Sequence, residues 1–148
     1  PGSPIYTRAR FLPPTRMSGA TVSNSLISNG CKIGAGAIIE NSVIGLRTVI
    51  RSNVTIRNSI VMGNDYYDSE ERAAERQSPL LEIGEGTVIE GAIIDKNVSI
   101  GKNVRVINQS QRDQTNLDHD TCVIRDGIPI LIKKAVLPDD WNLEEHLS

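Results

Sequence analysis

Residues 33–61 read IGAGAIIENSVIGLRTVIRSNVTIRNSIV and carry a small aliphatic residue at steps of five or six positions. The same phase extends toward the N-terminus and resumes after a break. Its members are Val22, Ile27, Ile33, Ile39, Ile44, Ile50, Ile56, Val61, Ile83, Ile89, Ile94, Ile100 and Val106. An α-helix shows a period of 3.6 residues and a β-strand a period of 2. Three steps that sum to 17 residues, as from Val22 to Ile39, indicate a triangular coil made of short strands joined by turns.

The residues between these aliphatic positions agree with such a coil. Three positions after many of them stands a residue that tolerates positive φ, as a sharp corner requires. These are Gly30, Gly36, Asn53, Gly86, Asn97 and Asn103. Four positions after them stands another small side chain, which we expect to share the interior. This second series is Leu26, Cys31, Ala37, Val43, Thr48, Val54, Ile60, Thr87, Ile93, Val98 and Val104.

The pattern predicts an all-β fold, a parallel β-helix of the hexapeptide-repeat kind with two insertions. Successive coils would stack ~4.8 Å apart, so that parallel strands hydrogen-bond from coil to coil. We expect a left-handed coil because this class of solenoid is left-handed, whereas the residue pattern alone does not fix the hand. Aromatic residues make up only 3% of the chain, as suits a narrow interior filled by Ile and Val.

Changes in composition divide the chain. Residues 1–20 are predicted to be a cloning scar, Pro1-Gly2-Ser3, followed by an extended, proline-interrupted linker. Residues 21–138 are predicted to form the β-helix, with insertions at about 63–82 and 109–120. Residues 139–148 form an acidic tail.

Two short helical segments are predicted outside the coils. The charged run DSEERAAERQ in the first insertion suits a short helix with Asp68 or Ser69 as its N-cap. The acidic tail suits one helical turn, whose Trp141 and Leu143 would cover the open end of the coil. A solenoid needs such a cap because its last coil otherwise exposes the core.

Composition and charge exclude several functions. The net charge is −2 and there is no basic block, so a nucleic-acid partner is not indicated. No segment approaches the ~18 consecutive apolar residues of a membrane helix, and no signal peptide is recognisable, so no membrane partner is expected. Cys31 and Cys122 do not make a disulfide framework, and we expect buried reduced thiols in a cytosolic type of compartment.

No catalytic or metal-binding constellation is visible in the sequence. The two histidines are His119, in a polar insertion, and His146, in the tail. A zinc enzyme of this architecture would need three imidazoles on the metal. The Gly-x-Gly pairs at 34–36 and 84–86 fall on coil corners, so we interpret them as structural. Without a catalytic constellation in the sequence, we expect a scaffold, an assembly module or a regulatory domain.

Several segments together resemble one family. They are PIYTRARFLPPTRM, VIGLRTVI, MGNDYYDSEERAAERQ, AIIDKNVSIGKNVRVIN and IRDGIPILIKKAVLP. From Pro4 to about Pro138 the chain resembles the C-terminal domain of ADP-glucose pyrophosphorylase (glucose-1-phosphate adenylyltransferase) of the cyanobacterial and plant type. Two features depart from that family. Asp140-Trp141 and an acidic tail replace its usual closing Pro-x-Gly-Thr strand, and its N-terminal catalytic domain is absent from this sequence.

The resemblance implies a function. The family joins ATP and glucose 1-phosphate into ADP-glucose and pyrophosphate, for glycogen or starch synthesis in the bacterial cytoplasm or the plastid stroma. Its β-helix domain contacts its own catalytic domain and other subunits of a homo- or heterotetramer. It also helps to bind an activator, 3-phosphoglycerate in photosynthetic members, with phosphate as inhibitor. No cofactor is expected in this domain, since Mg and ATP belong to the catalytic domain, and the isolated chain is expected to be inactive.

Three basic residues match effector-binding or anion-binding positions of that family, namely Lys96 in the D-K-N motif, Lys133 in the I-K step of the last strand and Arg10 in the PIYT-x-x-R linker. Arg8 is a fourth candidate, although it stands where some plant subunits have Gln. Phosphate and carboxylate groups need such donors, with lysine as a point charge and arginine as a planar fork. Read from the sequence alone, a lysine at an exposed corner is also ordinary surface chemistry.

Two alternatives remain open at this point. One is a trimeric hexapeptide-repeat acyltransferase with its active site between the β-helices of neighbouring subunits, using His119 or His146 as its base. The other is a pure assembly β-helix from another sugar-nucleotide transferase relative, such as a translation-factor exchange subunit.

Overall fold

The structure is a computed structural model that describes residues 16–115 and 121–147. Within them the chain winds into a parallel β-helix with three flat faces. Face 1 contains β1 (Arg16–Met17), β4 (Lys32–Ile33), β7 (Val49–Ile50), β12 (Ser99–Ile100) and β16 (Val136–Leu137). Face 2 contains β2 (Thr21–Ser23), β5 (Ile38–Glu40), β8 (Thr55–Arg57), β10 (Val88–Glu90) and β13 (Arg105–Val106). Face 3 contains β3 (Leu26–Ile27), β6 (Val43–Ile44), β9 (Ile60–Val61), β11 (Ile93–Ile94), β15 (Ile128–Leu131) and, at its edge, β14 (Cys122–Arg125).

The register confirms the 17-residue coil. Val22 pairs with Ile39, and Ile39 pairs with Ile56, both in parallel. Ile56 next pairs with Ile89, so the chain between them holds one coil plus the first insertion. On face 1 the bridge from β7 to β12 passes through a single residue, Ile83. β14 departs from the coil pattern because it pairs antiparallel with β15.

The aliphatic ladder forms the core, as predicted. Eleven of its members are buried, and Val22 and Ile27 are partly buried where the ladder begins. The predicted corners are also confirmed, since all six adopt positive φ, between 55° and 79°. Cys31 and Cys122 are buried and form no disulfide, and burial raises the pKa of Cys122 to about 11.

Part of the second aliphatic series was placed wrongly by the sequence. Leu26, Val43 and Ile60 are 70%, 42% and 44% exposed, whereas Val54 is fully buried. The step length explains the difference. Where the step is six, the fourth residue stands two positions before the next ladder residue and shares its inward side. Where the step is five, it stands immediately before that residue and points outward. The inward position then belongs to a smaller residue, such as the buried Ser42 or Ser59.

The ends of the coil lie outside the expected boundaries. β1 pairs with β4 through Arg16 and Met17, inside the segment assigned to the linker. At the other end Asn142 bridges to Arg105, so the acidic tail continues the coil. A 3-10 helix, Leu143–His146, follows and buries Leu143 completely, while Trp141 packs partly against the core. The predicted helical cap is therefore confirmed.

Hydrogen bonds and an ion pair hold the first insertion in place against the coil. It contains α1 (Glu70–Arg76), whose N-cap is Ser69, one of the two predicted capping residues. Tyr67 donates a hydrogen bond to the carbonyl oxygen of Gly30 at 2.8 Å. Asp68, whose side chain is only 3% exposed, pairs with Arg76 at 2.6 Å and accepts a hydrogen bond from the Leu81 backbone at 2.9 Å. Among the described residues no helix has the length and apolar character needed to cross a bilayer.

The Asp68 pair yields a testable effect on the insertion. Its hydrogen bond with Arg76 lowers the pKa of Asp68 from 3.8 to about 2. A carboxylate with a lowered folded-state pKa stabilises the fold above its unfolded pKa, and this contribution is lost as the pH falls from 3.8 toward 2. We expect Asp68→Asn to lower the free energy of local opening at Leu81 by roughly 2 kcal/mol at pH 7, measured by amide hydrogen exchange.

The difference should shrink as the pH is lowered toward 3, because the Asp68 carboxylate of the opened segment, with its ordinary pKa of 3.8, then becomes largely protonated. Asp113→Asn, the same change at an exposed loop position, serves as the control. Equal Leu81 protection in wild type and Asp68→Asn at pH 7 would show that this pair does not hold the insertion.

Candidate effector site

Lys96 occupies the turn that leaves β11. Asn97 in this turn has a φ of 59°, and the backbone N–H of Lys96 donates to the Asp95 carboxylate at 2.6 Å. The next coil stacks directly on this turn, because the backbone N–H of Lys134 donates to the carbonyl oxygen of Lys96 at 3.0 Å. Two basic turns therefore lie one strand spacing apart, about 4.8 Å, at the same corner.

Lys133 lies in the upper of these two turns, not in the last strand where the sequence placed it. β15 ends at Leu131 and β16 begins at Val136, and the chain between them bends from face 3 to face 1. Lys134 takes the positive φ of this corner, at 66°. Lys133 is exposed, as are Lys134 and Lys96. Within the described residues neither Lys133 nor Lys134 forms a salt bridge.

Asp65 completes the cluster from the coil below. Its carboxylate accepts a hydrogen bond from the Asn97 side-chain amide at 2.9 Å and lies 3.3 Å from the Lys96 ammonium. Its backbone N–H donates to the amide oxygen of Asn97 at 2.9 Å. Three successive coils thus place Asp65, Lys96 and Lys133 together at one corner.

The electrostatics of the corner favour a negative charge. The hydrogen bond from Asn97 lowers the pKa of the Asp65 carboxyl below its usual value, and the hydrogen bond from Lys96 lowers it further. Lys133 contributes to the same pKa shift through its charge. Lys96 and Lys133 therefore both favour negative charge at one position, and the Asp65 carboxylate occupies that position.

A cleft of about 540 Å³ adjoins this corner. Asp65 and Asn97 line its near side, and Lys134 and Arg76 add positive charge. Tyr66, Leu81 and Val136 supply apolar surface. A small molecule that carries an anionic group and an uncharged part would find both kinds of surface here.

A second cleft, of about 360 Å³, lies between face 1 and the first insertion. Its cations are already engaged. Arg51 pairs with Glu82 at 2.7 Å, and the Lys32 ammonium lies over the Tyr67 ring, 5.1 Å from its centroid. The corner differs because two of its lysines, Lys133 and Lys134, form no salt bridge within the described residues, so it offers a more favourable place for an anion than this cleft.

The remaining candidate residues fall elsewhere. Arg8, Arg10 and His119 lie outside the described residues. His146 stacks on Trp141 with ring centroids 4.8 Å apart, in the C-terminal cap. Residues 16–115 and 121–147 contain no group of three or more His, Cys, Asp or Glu side chains that could hold a metal ion.

Sequence reasoning assigned no ligand-binding role to Asp65, and it recognised Asn97 only as a corner residue with positive φ. The signal that could have found them is the spacing across the insertion. Ile60 pairs with Ile93, an offset of 33 residues, and the same offset brings Asn64 onto Asn97. That alignment places Asp65 beside the D-K-N turn.

The fold defines a class of protein, the parallel β-helices built from hexapeptide-like repeats. Within this class the family is shown by a match over residues 10–141 to the family described as the GLGC left-handed parallel beta-helix domain. The chain belongs to this family, and its coil is left-handed.

A curated relative supports the same assignment. The chain is 41% identical over 142 residues to a protein of Arabidopsis thaliana named inactive glucose-1-phosphate adenylyltransferase small subunit 2, chloroplastic. The match covers 93% of this chain and 30% of the relative, so the chain spans about three tenths of that protein's length. The resemblance seen in the sequence is confirmed.

One solved structure gives a partial likeness. It is the acetyltransferase domain of PglB from Neisseria gonorrhoeae FA1090 in complex with acetyl coenzyme A, with 16% sequence identity and a TM-score of 0.33. The likeness covers 62% of this chain and 42% of that one. Agreement of this extent carries no argument about function.

Proposed function

We propose that this chain is the regulatory and assembly β-helix of a glucose-1-phosphate adenylyltransferase. Such an enzyme makes ADP-glucose from ATP and glucose 1-phosphate for glycogen or starch synthesis. Family membership and the named relative support the enzyme class. The observation that supports a regulatory role most strongly is the stacking of Lys96 and Lys133 on successive coils at one corner.

The proposed ligand of this corner is a small phosphorylated acid such as 3-phosphoglycerate, with phosphate as its competitor. Lysine ammonium groups bind phosphate oxygens as point charges. Two of them one coil apart can contact one phosphate, or a phosphate and a carboxylate of the same molecule. Arg8 and Arg10 are proposed to add further donors from the segment that precedes the coil.

We expect Lys96→Ala and Lys133→Ala, introduced separately into the full-length enzyme, each to raise the activator concentration for half-maximal activation about tenfold or more. Each change removes one positively charged donor that would contact the anion. Hydrogen bonds to charged groups contribute roughly 1.5–3 kcal/mol. Activity without activator should stay nearly unchanged, because neither lysine packs in the core. The measurement is the rate of ADP-glucose synthesis against activator concentration.

Lys102→Ala is the matched control, since Lys102 is an exposed lysine in another turn of the coil. Its activation curve should superimpose on that of the wild type. Loss of basal and activated rates in equal proportion in the Lys96 and Lys133 variants would assign these lysines to folding or assembly instead.

We further propose that this chain has no adenylyltransferase activity by itself and needs no cofactor, with Mg and ATP bound by a separate catalytic domain. The described residues supply no candidate metal cluster. The purified chain, incubated with ATP, Mg and glucose 1-phosphate, should form no ADP-glucose above the rate of a blank without protein. ADP-glucose formation that tracks the purified chain would contradict this assignment.

An assembly role is supported by the outward side of face 3. The outward residues of β3, β6, β9 and β11 are all aliphatic, namely Leu26, Val43, Ile60 and Ile93. Face 2 differs, since its outward positions include the paired charges Glu40 and Arg57. An exposed apolar stripe flanked by polar residues is typical of a surface that another protein covers. We propose that other subunits of a homo- or heterotetramer cover it.

We expect Ile60→Lys to reduce self-association of the chain, because a buried unpaired ammonium opposes an apolar contact. The measurement is the solution mass by light scattering as a function of protein concentration. Val88→Lys, an outward position on face 2, is the matched control and should keep the wild-type mass. Equal masses for wild type and Ile60→Lys across concentrations at which the wild type associates would exclude face 3 from the contact.

The compartment proposed is the bacterial cytoplasm or the plastid stroma. The named relative is chloroplastic, which supports the second of these. Cys31 and Cys122 are buried and form no disulfide, which suits either compartment.

A further inference from the structure

The corner of Lys96 and Lys133 already holds an anion, which belongs to the protein. The Asp65 carboxylate accepts from the Asn97 amide with one oxygen, at 2.9 Å, and faces the Lys96 ammonium with the other, at 3.3 Å. A bound carboxylate or phosphate would make the same two contacts. Any anionic ligand that uses Lys96 therefore meets a like charge in the position it needs.

The geometry allows this carboxylate to leave without unfolding the turn. The Asp65 side chain is 54% exposed, so solvent lies beside it. Its backbone is held separately, by the hydrogen bond from its N–H to the amide oxygen of Asn97. Rotation of the side chain would free the Lys96 ammonium and the Asn97 amide hydrogens together, while the coil stays in place.

Asn97 is the feature of this corner that would make an exchange between the Asp65 carboxylate and an external anion specific to it. It is 9% exposed, and its positive φ of 59° belongs to the corner itself. Its amide oxygen holds the Asp65 backbone and its amide nitrogen points at the carboxylate. Once the carboxylate leaves, that nitrogen becomes a fixed neutral donor beside the two lysines.

We propose that Asp65 is an internal competitor of the effector, and that an anion binds by displacing the Asp65 carboxylate from Lys96 and Asn97. This inference rests on the proposed function of the lysine corner. The ligand class that it implies is a dianion, such as a phosphate ester, since a ligand with one negative charge gains little over the carboxylate it replaces. At effector concentrations too low to displace it, the Asp65 carboxylate therefore remains bound to Lys96 and Asn97.

The test is a titration of the purified chain with inorganic phosphate and with 3-phosphoglycerate at constant ionic strength. Binding is followed by NMR through the backbone amides of Lys96 and Lys133 and the side-chain amide of Asn97. We expect Asp65→Asn to bind phosphate and 3-phosphoglycerate about tenfold more tightly than the wild type, because a like charge has been removed at contact distance. Acetate, which carries a single negative charge, should gain less than these two anions do.

Two further variants separate charge from shape. Asp65→Glu keeps the negative charge and should stay within about twofold of the wild-type affinity. Asp113→Asn removes a negative charge from a remote exposed loop and should also leave the affinity unchanged. Since Asn at position 65 can still accept a hydrogen bond from Asn97, the turn is expected to keep its fold, and unchanged amide shifts outside the corner verify this.

The outcomes distinguish the two proposals. Tighter dianion binding by Asp65→Asn, lost again when Lys96→Ala is added, supports the exchange. Equal affinities of wild type and Asp65→Asn, with weaker binding by Lys96→Ala, would overturn the exchange while leaving the lysine corner as an effector site. Absence of phosphate and 3-phosphoglycerate binding in every variant would overturn both for this chain.

Discussion

The parallel register of the coils is the constraint on which the rest of the structure depends. Each residue lies over the residue one coil earlier, so a choice made once in the sequence is repeated along the axis. Ile39 on Ile56 gives a continuous aliphatic core, and like polar residues stack as well. The side-chain amide of Asn24 donates to Asn41 at 2.9 Å, and that of Asn41 donates to Asn58 at 2.7 Å. Ser42 likewise accepts from the backbone N–H of Ser59 at 3.1 Å.

This register explains why so much of the fold could be predicted from the sequence. A narrow core enclosed by three faces needs a small residue at each inward position, here mostly an aliphatic one. A corner needs a residue that adopts positive φ. Both requirements recur often enough to be read from one chain, as Ile44 and Gly36 illustrate. The helical cap was also predictable, since Leu143 is an apolar residue in an acidic tail that follows the last coil.

The misplaced residues have a common origin. Val43 and Val54 each stand four positions after a ladder residue, and only the length of the following step decides which side each one faces. Val43 is 42% exposed and Val54 is fully buried. A rule that counts forward from one ladder residue misses this, because strand alternation is set by the residue that comes next. The coil ends were missed for a related reason, since Arg16 and Asn142 join the coil by backbone pairing and have no ladder side chain.

The candidate site could be predicted only in part. The resemblance pointed to Lys96 and Lys133, but their relation to Asp65 depends on how the insertion returns to the coil. Asp65 and Lys96 are 31 residues apart, and no local pattern connects them. The contact exists because the insertion leaves the coil just after the Gly63–Asn64 corner, so Asp65 stays directly beside the Lys96 turn, which the next coil forms. The residue count alone leaves open whether a charged residue at that point turns toward the lysines or toward solvent.

Stacking also has an electrostatic consequence that is independent of any ligand. A coil repeat brings the backbones of residues at one corner to about 4.8 Å, so exposed lysines stacked there repel one another. Lys96 and Lys133 stand in this relation, and the Asp65 carboxylate beside them offsets their repulsion. Because all three side chains project from turns, their charges can change without disturbing the buried ladder. Replacement of the Asp65 carboxylate by an external anion, as proposed, would therefore leave the coil folded.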